Sequence, residues 1–201
     1  SLSRSLDPTL VAPIVVEAAR RPSAPQALAY AVSAIDRETL AGQGVLDAAG
    51  LALATPSVAA TNLGSGRDKL IVRGLSDGPL TGRTQGMVGV YFDDLRLTYN
   101  APDPALRLSD VVQAEVLRGP QGALYGSGSM GGVVRIVTAA PDRDRTFGRL
   151  SLAAGATAHG AASTDAEAMA NIALAQGRGA VRVLAYRGVE GGYVDDAGQG
   201  R

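Results

Sequence analysis

The chain has 201 residues, room for one sizeable domain and an appendage but not for two large domains. Lys plus Arg number 19 and so do Asp plus Glu, so no basic excess exists to neutralise a phosphate backbone, which argues against nucleic-acid binding. Cysteine is absent and His159 is the only histidine, which removes disulfide frameworks, thiolate zinc sites and cysteine nucleophiles and leaves little for metal chemistry.

Residues 1–28 carry Pro8, Pro13, Pro22 and Pro25, which deny the segment a long helix or central strand and predict an extended arm holding one β-branched patch, Ile14-Val15-Val16. The chain opens on Ser1 with no basic stretch leading into an apolar core, so any signal peptide is expected to have been removed. No run approaches the roughly 18 apolar residues of a membrane-spanning helix, and a membrane encounter is therefore expected through β-strands. From Ala29 the sequence reads as a strand, after which Asp36 caps a helix that Gly42 and Gly44 end. A second helix is predicted over Leu46 to Ala54, stopped by Thr55-Pro56. Strands follow at 58–63, 70–75 and 88–97, the last with a turn at Asp93-Asp94. Ser109-Asp110 is expected to cap a helical turn, and strands are predicted at 114–117 and 133–138. These elements define an α+β unit with a small mixed sheet and short helices.

After Pro141 a charged connector, Asp142-Arg143-Asp144-Arg145, leads into simpler strands. Over 164–174, Asp165, Glu167, Met169 and Asn171 alternate with Ala166, Ala168, Ala170, Ile172 and Leu174, which is the period of a strand with one wet and one apolar face. Weaker versions at 147–155 and 181–187, with a tight turn at 176–179 before the last, make the tail an antiparallel meander.

Gly126-Ser-Gly128-Ser-Met-Gly131 matches the G-x-G-x-x-G pattern of dinucleotide sites, but that fingerprint needs a strand before it and a helix after it. Here the glycines run straight into the strand at 133–138, and packing is the better reading. No catalytic cluster, metal set or cofactor motif emerges, and Asp93-Asp94 and Asp195-Asp196 suit turns better than calcium loops.

One conjunction rises above background: Ile14-Val15-Val16-Glu17-Ala18, then Ile71-Val72-Arg73-Gly74, then Val88 to Asp94, then Glu115 to Gly126 with its Leu-Arg-Gly-Pro-Gln-Gly core, then Gly131 to Val134. In order and spacing these resemble the plug domain of TonB-dependent outer-membrane receptors. The resemblance implies a periplasmic arm at 1–28, a plug at 29–145 and the opening strands of a transmembrane β-barrel at 146–201, in the outer membrane of a Gram-negative bacterium. It implies active uptake of a scarce solute, a ferric siderophore or similar large nutrient, without enzymatic chemistry. Ile14, Val15, Val16, Glu17 and Ala18 would form the Ton box presented to the periplasmic C-terminal domain of TonB. Arg73 and Arg118 would pair with glutamates of the barrel wall, and Gly74, Gly119, Pro120, Gly122, Tyr125 and Gly126 would form the plug motif. Loops 75–86 and 98–106 are the candidate ligand-facing apices. The implied partners are TonB, the remainder of the β-barrel, the ferric chelate and outer-membrane lipid.

A barrel of about 22 strands at roughly 10 residues each far exceeds what residues 146–201 can supply. An open edge cannot persist in lipid, so the chain is expected to be a fragment or a split gene product. The alternative is a stand-alone periplasmic plug-like module that binds or signals without transport.

Overall fold

A computed structural model describes residues 16, 31–61, 63–64, 66–78, 86–98, 102–103, 105–156, 160–175, 177–189 and 191–192. Two compact units emerge, Ser1–Thr138 and Ala139–Arg201.

The first unit is built on a mixed sheet. In chain order its elements are β1 (Val32–Asp36), α1 (Arg37–Gly42), α2 (Leu51–Ala54), β2 (Val58–Ala60), β3 (Leu70–Val72), β4 (Val88–Phe92), β5 (Leu95–Arg96), β6 (Val111–Arg118), α3 (Gly122–Tyr125) and β7 (Gly132–Thr138). The sheet runs β1-β6-β7-β4-β5, with β4 and β7 parallel and the other pairs antiparallel. A separate antiparallel hairpin joins β2 and β3. Alternation along β6 sends Ala114 and Val116 into a core shared with Val134 and Ile136 and with Leu40, Leu51, Val58 and Val72 from the helices and the hairpin. Leu117 and Val133 belong to a second cluster with Tyr91, Tyr125 and Val16.

Charge also enters the sheet. Glu115, fully buried, faces Arg135 in the β6–β7 register, with Arg135 Nη1 3.5 Å from Glu115 Oε2, and Gln113 Nε2 donates to Glu115 Oε1 at 2.6 Å. Arg135 Nε donates to the carbonyl of Asp93 at 3.0 Å. Asp93 occupies the left-handed region (φ 52°) at the turn, and its carboxylate accepts from Thr138 N and Oγ1, both at 2.8 Å. The turn chemistry at Asp93-Asp94 thereby ties the β4–β5 hairpin to the end of β7.

Two predicted elements need correction. The helix expected over 46–54 is confined to α2, because Asp47 Oδ1 accepts from Gly50 N at 2.7 Å in a local turn. The backbone at 46–48 is also drawn to residues 106–108, with Ala48 N donating to Leu106 O and Leu108 N to Leu46 O, both at 2.9 Å. No helical turn follows Ser109-Asp110: Asp110 turns the chain at φ 54°, and β6 begins at the next residue. Asp36 caps α1 as expected, accepting from Thr39 N at 2.8 Å. That bond from the Thr39 backbone, helped by the Thr39 side chain, holds the Asp36 carboxyl below its ordinary value.

The second unit is an open three-stranded antiparallel sheet, ordered β10-β9-β8, of β8 (Phe147–Ala156), β9 (Ala162–Leu174) and β10 (Gly179–Val189). Its register puts Phe147, Arg149 and Ser151 level with Asn171, Met169 and Glu167 and with Arg182, Leu184 and Tyr186. Arg149 and Glu167 form an ion pair at 3.2 Å on that face. The opposite face carries Leu150, Leu152, Ala166, Ala168, Ala170, Val181 and Val183, with Leu152 72% exposed. Asn171 is fully buried and grips the connector: it accepts from Asp142 N at 2.9 Å and donates to Asp142 O at 2.8 Å and Arg145 O at 2.6 Å. No helix among the described residues is long and apolar enough to cross a membrane, which leaves β-strand crossing open.

Candidate functional site

Arg73 and Arg118 come together at the end of the hairpin. Val72 and Leu75 exchange backbone hydrogen bonds at 3.2 and 3.0 Å across Arg73-Gly74, both at positive φ (54° and 79°), the signature of a type I′-like turn that glycine suits at its second centre. Arg73 N donates to Ser57 O at 2.9 Å, extending the β2–β3 ladder by one rung, and Ser57 is itself left-handed at φ 69°. Arg118 closes β6; its Nη2 donates to Ser33 Oγ at 2.6 Å, and Nη1 lies 3.5 Å from Ser57 Oγ. Gly119 follows at φ 96°, where a Cβ would stand 3.8 Å from Arg73 Nη1. The Arg73 guanidinium thus passes over Gly119, and both arginines gather about Ser57.

Left-handed non-glycine residues at two touching positions are strained backbone, held by the surrounding hydrogen bonds. Among the described residues neither arginine has an ion-pair partner, and the buried Arg118 Nε has no hydrogen-bond partner. Each guanidinium is a fixed cation, so this end of the hairpin presents a positive, donor-rich site suited to carboxylate.

The remaining motif residues have separate local reasons. Gly119 N donates to Gly131 O at 3.1 Å and Gln121 N to Ser129 O at 2.9 Å, pairing the Leu-Arg-Gly-Pro segment with the glycine-laced run ahead of β7. Pro120 leads into α3; Gly122 opens that helix with free space where a Cβ would go, and Gly126 ends it at φ 73°. Tyr125 is buried edge-on to Tyr91, ring centroids 4.9 Å apart, and the Tyr91 hydroxyl donates to Tyr125 O at 2.9 Å. Of the dinucleotide-like glycines, Gly128 and Gly131 serve close approach, as does the neighbouring Gly132. A Cβ on Gly131 would come within 3.0 Å of Leu75 Cβ, one on Gly132 would clash with the Leu117 carbonyl, and β7 follows directly without a helix.

Of the predicted arm motif, Ile14, Val15, Glu17 and Ala18 lie outside the described residues; Val16 is fully buried in the cluster with Leu117, Tyr125 and Val133. In the two candidate apical loops, residues 75–78, 86, 98, 102–103 and 105–106 are described. Ser33, Ser57, Lys69, Asp103 and the Glu115–Arg135 pair escaped sequence reasoning. The last had a signal, a lone acid and a lone base inside two apolar runs.

The family model for the TonB-dependent receptor plug domain matches residues 24–133, and the chain belongs to that family. It is 31% identical over 129 residues to the ferrioxamine B receptor of Salmonella typhimurium, covering 62% of this chain and 17% of that receptor. It is 57% identical over 35 residues to the pesticin receptor of Yersinia pestis, covering 17% of this chain and 5% of that receptor. The solved ferripyoverdine receptor of the outer membrane of Pseudomonas aeruginosa superposes with a TM-score of 0.69 at 17% identity, over 86% of this chain and 22% of that one, which fixes the shared fold. The chain thus spans less than a fifth of the length of these curated relatives. The curated relatives are receptors by name, and the ferripyoverdine receptor is one of the outer membrane.

Proposed function

We propose that the chain is the plug portion, with the first barrel strands, of a TonB-dependent receptor that takes up a ferric siderophore. The observation that carries this reading is the placing of Arg73 and Arg118 at one end of the hairpin, the Arg73 backbone N–H on Ser57 O and Arg118 Nη1 at Ser57 Oγ, with no carboxylate partner for either side chain among the described residues. A plug seated inside a barrel needs such a fixed cationic site, and glutamates of the remaining barrel are its natural counterpart. The wet and apolar faces of β8–β10 suit a lumen on one side and outer-membrane lipid on the other. Ile14–Ala18 acts as the Ton box once Val16 leaves its buried place beside Leu117, Tyr125 and Val133: a β-branched segment can add to the edge of the TonB C-terminal sheet through backbone hydrogen bonds. The chelate binds from outside against loops 75–86 and 98–106, and work delivered through TonB displaces part of the plug.

The test is iron uptake by the intact receptor in iron-starved cells offered single ferric siderophores, with and without TonB. Uptake of at least one chelate that vanishes without TonB is expected. Failure on a broad panel, or uptake indifferent to TonB, would overturn the reading in favour of a plug-like module that does not transport.

A further inference from the structure

Between β2 and β3 the chain buries a lysine. Lys69 is 2% exposed, and its Nζ donates to Asp77 Oδ2 at 2.8 Å, both side chains being nearly inaccessible. Its backbone is held on both sides of the peptide: Lys69 N donates to Thr61 Oγ1 at 3.0 Å, and Lys69 O accepts from Thr61 N at 3.1 Å. The flanking residues are clamped by a second aspartate from elsewhere in the chain. Asp103 N donates to Asp68 O at 2.8 Å, and Asp103 Oδ2 accepts from Leu70 N at 2.7 Å. Asp77 belongs to loop 75–86 and Asp103 to loop 98–106, so three consecutive residues receive both loops.

A buried ammonium is costly unless a carboxylate and further acceptors meet it. An apolar residue at position 69 could pack there without depending on either loop, whereas a lysine makes the start of β3 depend on where Asp77 stands. Leu70 opens β3, and three residues further on Arg73 sits in its left-handed turn with its N–H on Ser57 O. The path from the loop carboxylates to the arginine site is one short strand paired with β2 along its length.

We propose that Asp68–Leu70 is a joint that couples both candidate ligand-facing loops to Arg73, with Lys69 and Asp103 as its positioning residues; this rests on the reading of the loops given above. Displacing Asp77 or Asp103 loosens β3 and the Arg73 turn, and holding both in place tightens them.

The test is residue-resolved amide hydrogen exchange in the intact receptor without siderophore. Asp103→Ala removes the acceptor from Leu70 N and is expected to speed exchange of the Leu70 and Arg73 amides by about tenfold, the scale of one net hydrogen bond. The Arg118 amide, bonded to Ala31 O, and the amides of β7 stay at their original rates. Asp103→Asn, which keeps an acceptor, restores protection at both Leu70 and Arg73. Lys69→Met severs the tie to Asp77, whose carboxyl is left without its cation, and also speeds the Arg73 amide. The joint is overturned if Leu70 opens while Arg73 keeps its original rate in both Asp103→Ala and Lys69→Met, or if the whole sheet accelerates together, which marks general destabilisation. These readouts involve neither TonB nor siderophore, so failure here leaves the uptake reading standing, and the converse holds.

Discussion

Replacing Glu115 with alanine should open the centre of the plug sheet. Glu115 is fully buried and Arg135 is 9% exposed at its side chain, so truncation takes the carboxylate away from a guanidinium in a site with little water. Removing one partner of a buried ion pair costs about 3–5 kcal/mol. Arg135 retains the Asp93 carbonyl and a 3.5 Å contact with Asp94, whose side chain is 83% exposed and therefore worth under about 1 kcal/mol. The lower end, about 3 kcal/mol, is the better expectation, equivalent to roughly 150-fold faster exchange of amides that require the sheet to open. The assay is hydrogen exchange at Val116 and Val134 in the intact receptor, with Asp94→Ala as the surface control, expected to change rates by less than about fivefold. Glu115→Gln, keeping the shape but not the charge, should fall between. If Glu115→Ala exchanges no faster than Asp94→Ala, the buried pair does not hold the sheet and the reasoning fails.

Other outcomes follow from the same geometry. Gly132→Ala drives a Cβ into the Leu117 carbonyl at a φ of 152° and should cost at least about 2 kcal/mol, whereas Gly122→Ala, in open space at the start of α3, should be neutral or stabilising by up to about 1 kcal/mol. Denaturant unfolding of the two variants separates them, and equal effects would contradict the packing account. Asp36→Ala removes the α1 cap at a cost of about 1 kcal/mol. Because the folded-state pKa of Asp36 lies below its ordinary 3.8, the cap's contribution is present above that value and lost as pH falls through the lowered one. The wild-type advantage over Asp36→Ala should therefore persist at neutral pH and shrink only in strong acid. For Asp103 burial is the leading influence and pushes its carboxyl up, against the Leu70 N–H and Lys69, with Asp77 and Asp68 adding to the rise. The folded state then takes up the proton first, so stability gains as pH falls through the raised value. Asp103→Asn should flatten that dependence. Asn171→Ala removes three hydrogen bonds to the connector and should make residues 142–146 susceptible to limited proteolysis while β10 stays protected.

Most strands were legible because their signals are local: β-branched runs at 70–72, 88–92 and 132–138, and strict alternation over β9. The helix over 46–54 was over-read because apolar spacing carries no information about the Asp47 side chain, which closes a turn on Gly50 and ends the competition locally. Asp110 misled in the same way, since an aspartate signals a cap and a left-handed turn alike. The two arginines were found through their motifs, but the meeting of both at Ser57 depends on β6 and the β2–β3 hairpin arriving from distant parts of the chain. Lys69 was invisible for a related reason: a lysine beside an aspartate reads as surface until Asp77 and Asp103 are folded over it.

The central claim is tested most directly by binding of a purified TonB C-terminal domain to the intact receptor, comparing the native arm with Val15→Pro. Proline removes a backbone donor and blocks strand addition, so the account predicts binding by the native arm and its loss in the variant. Equal binding by both, or none by either, would contradict it.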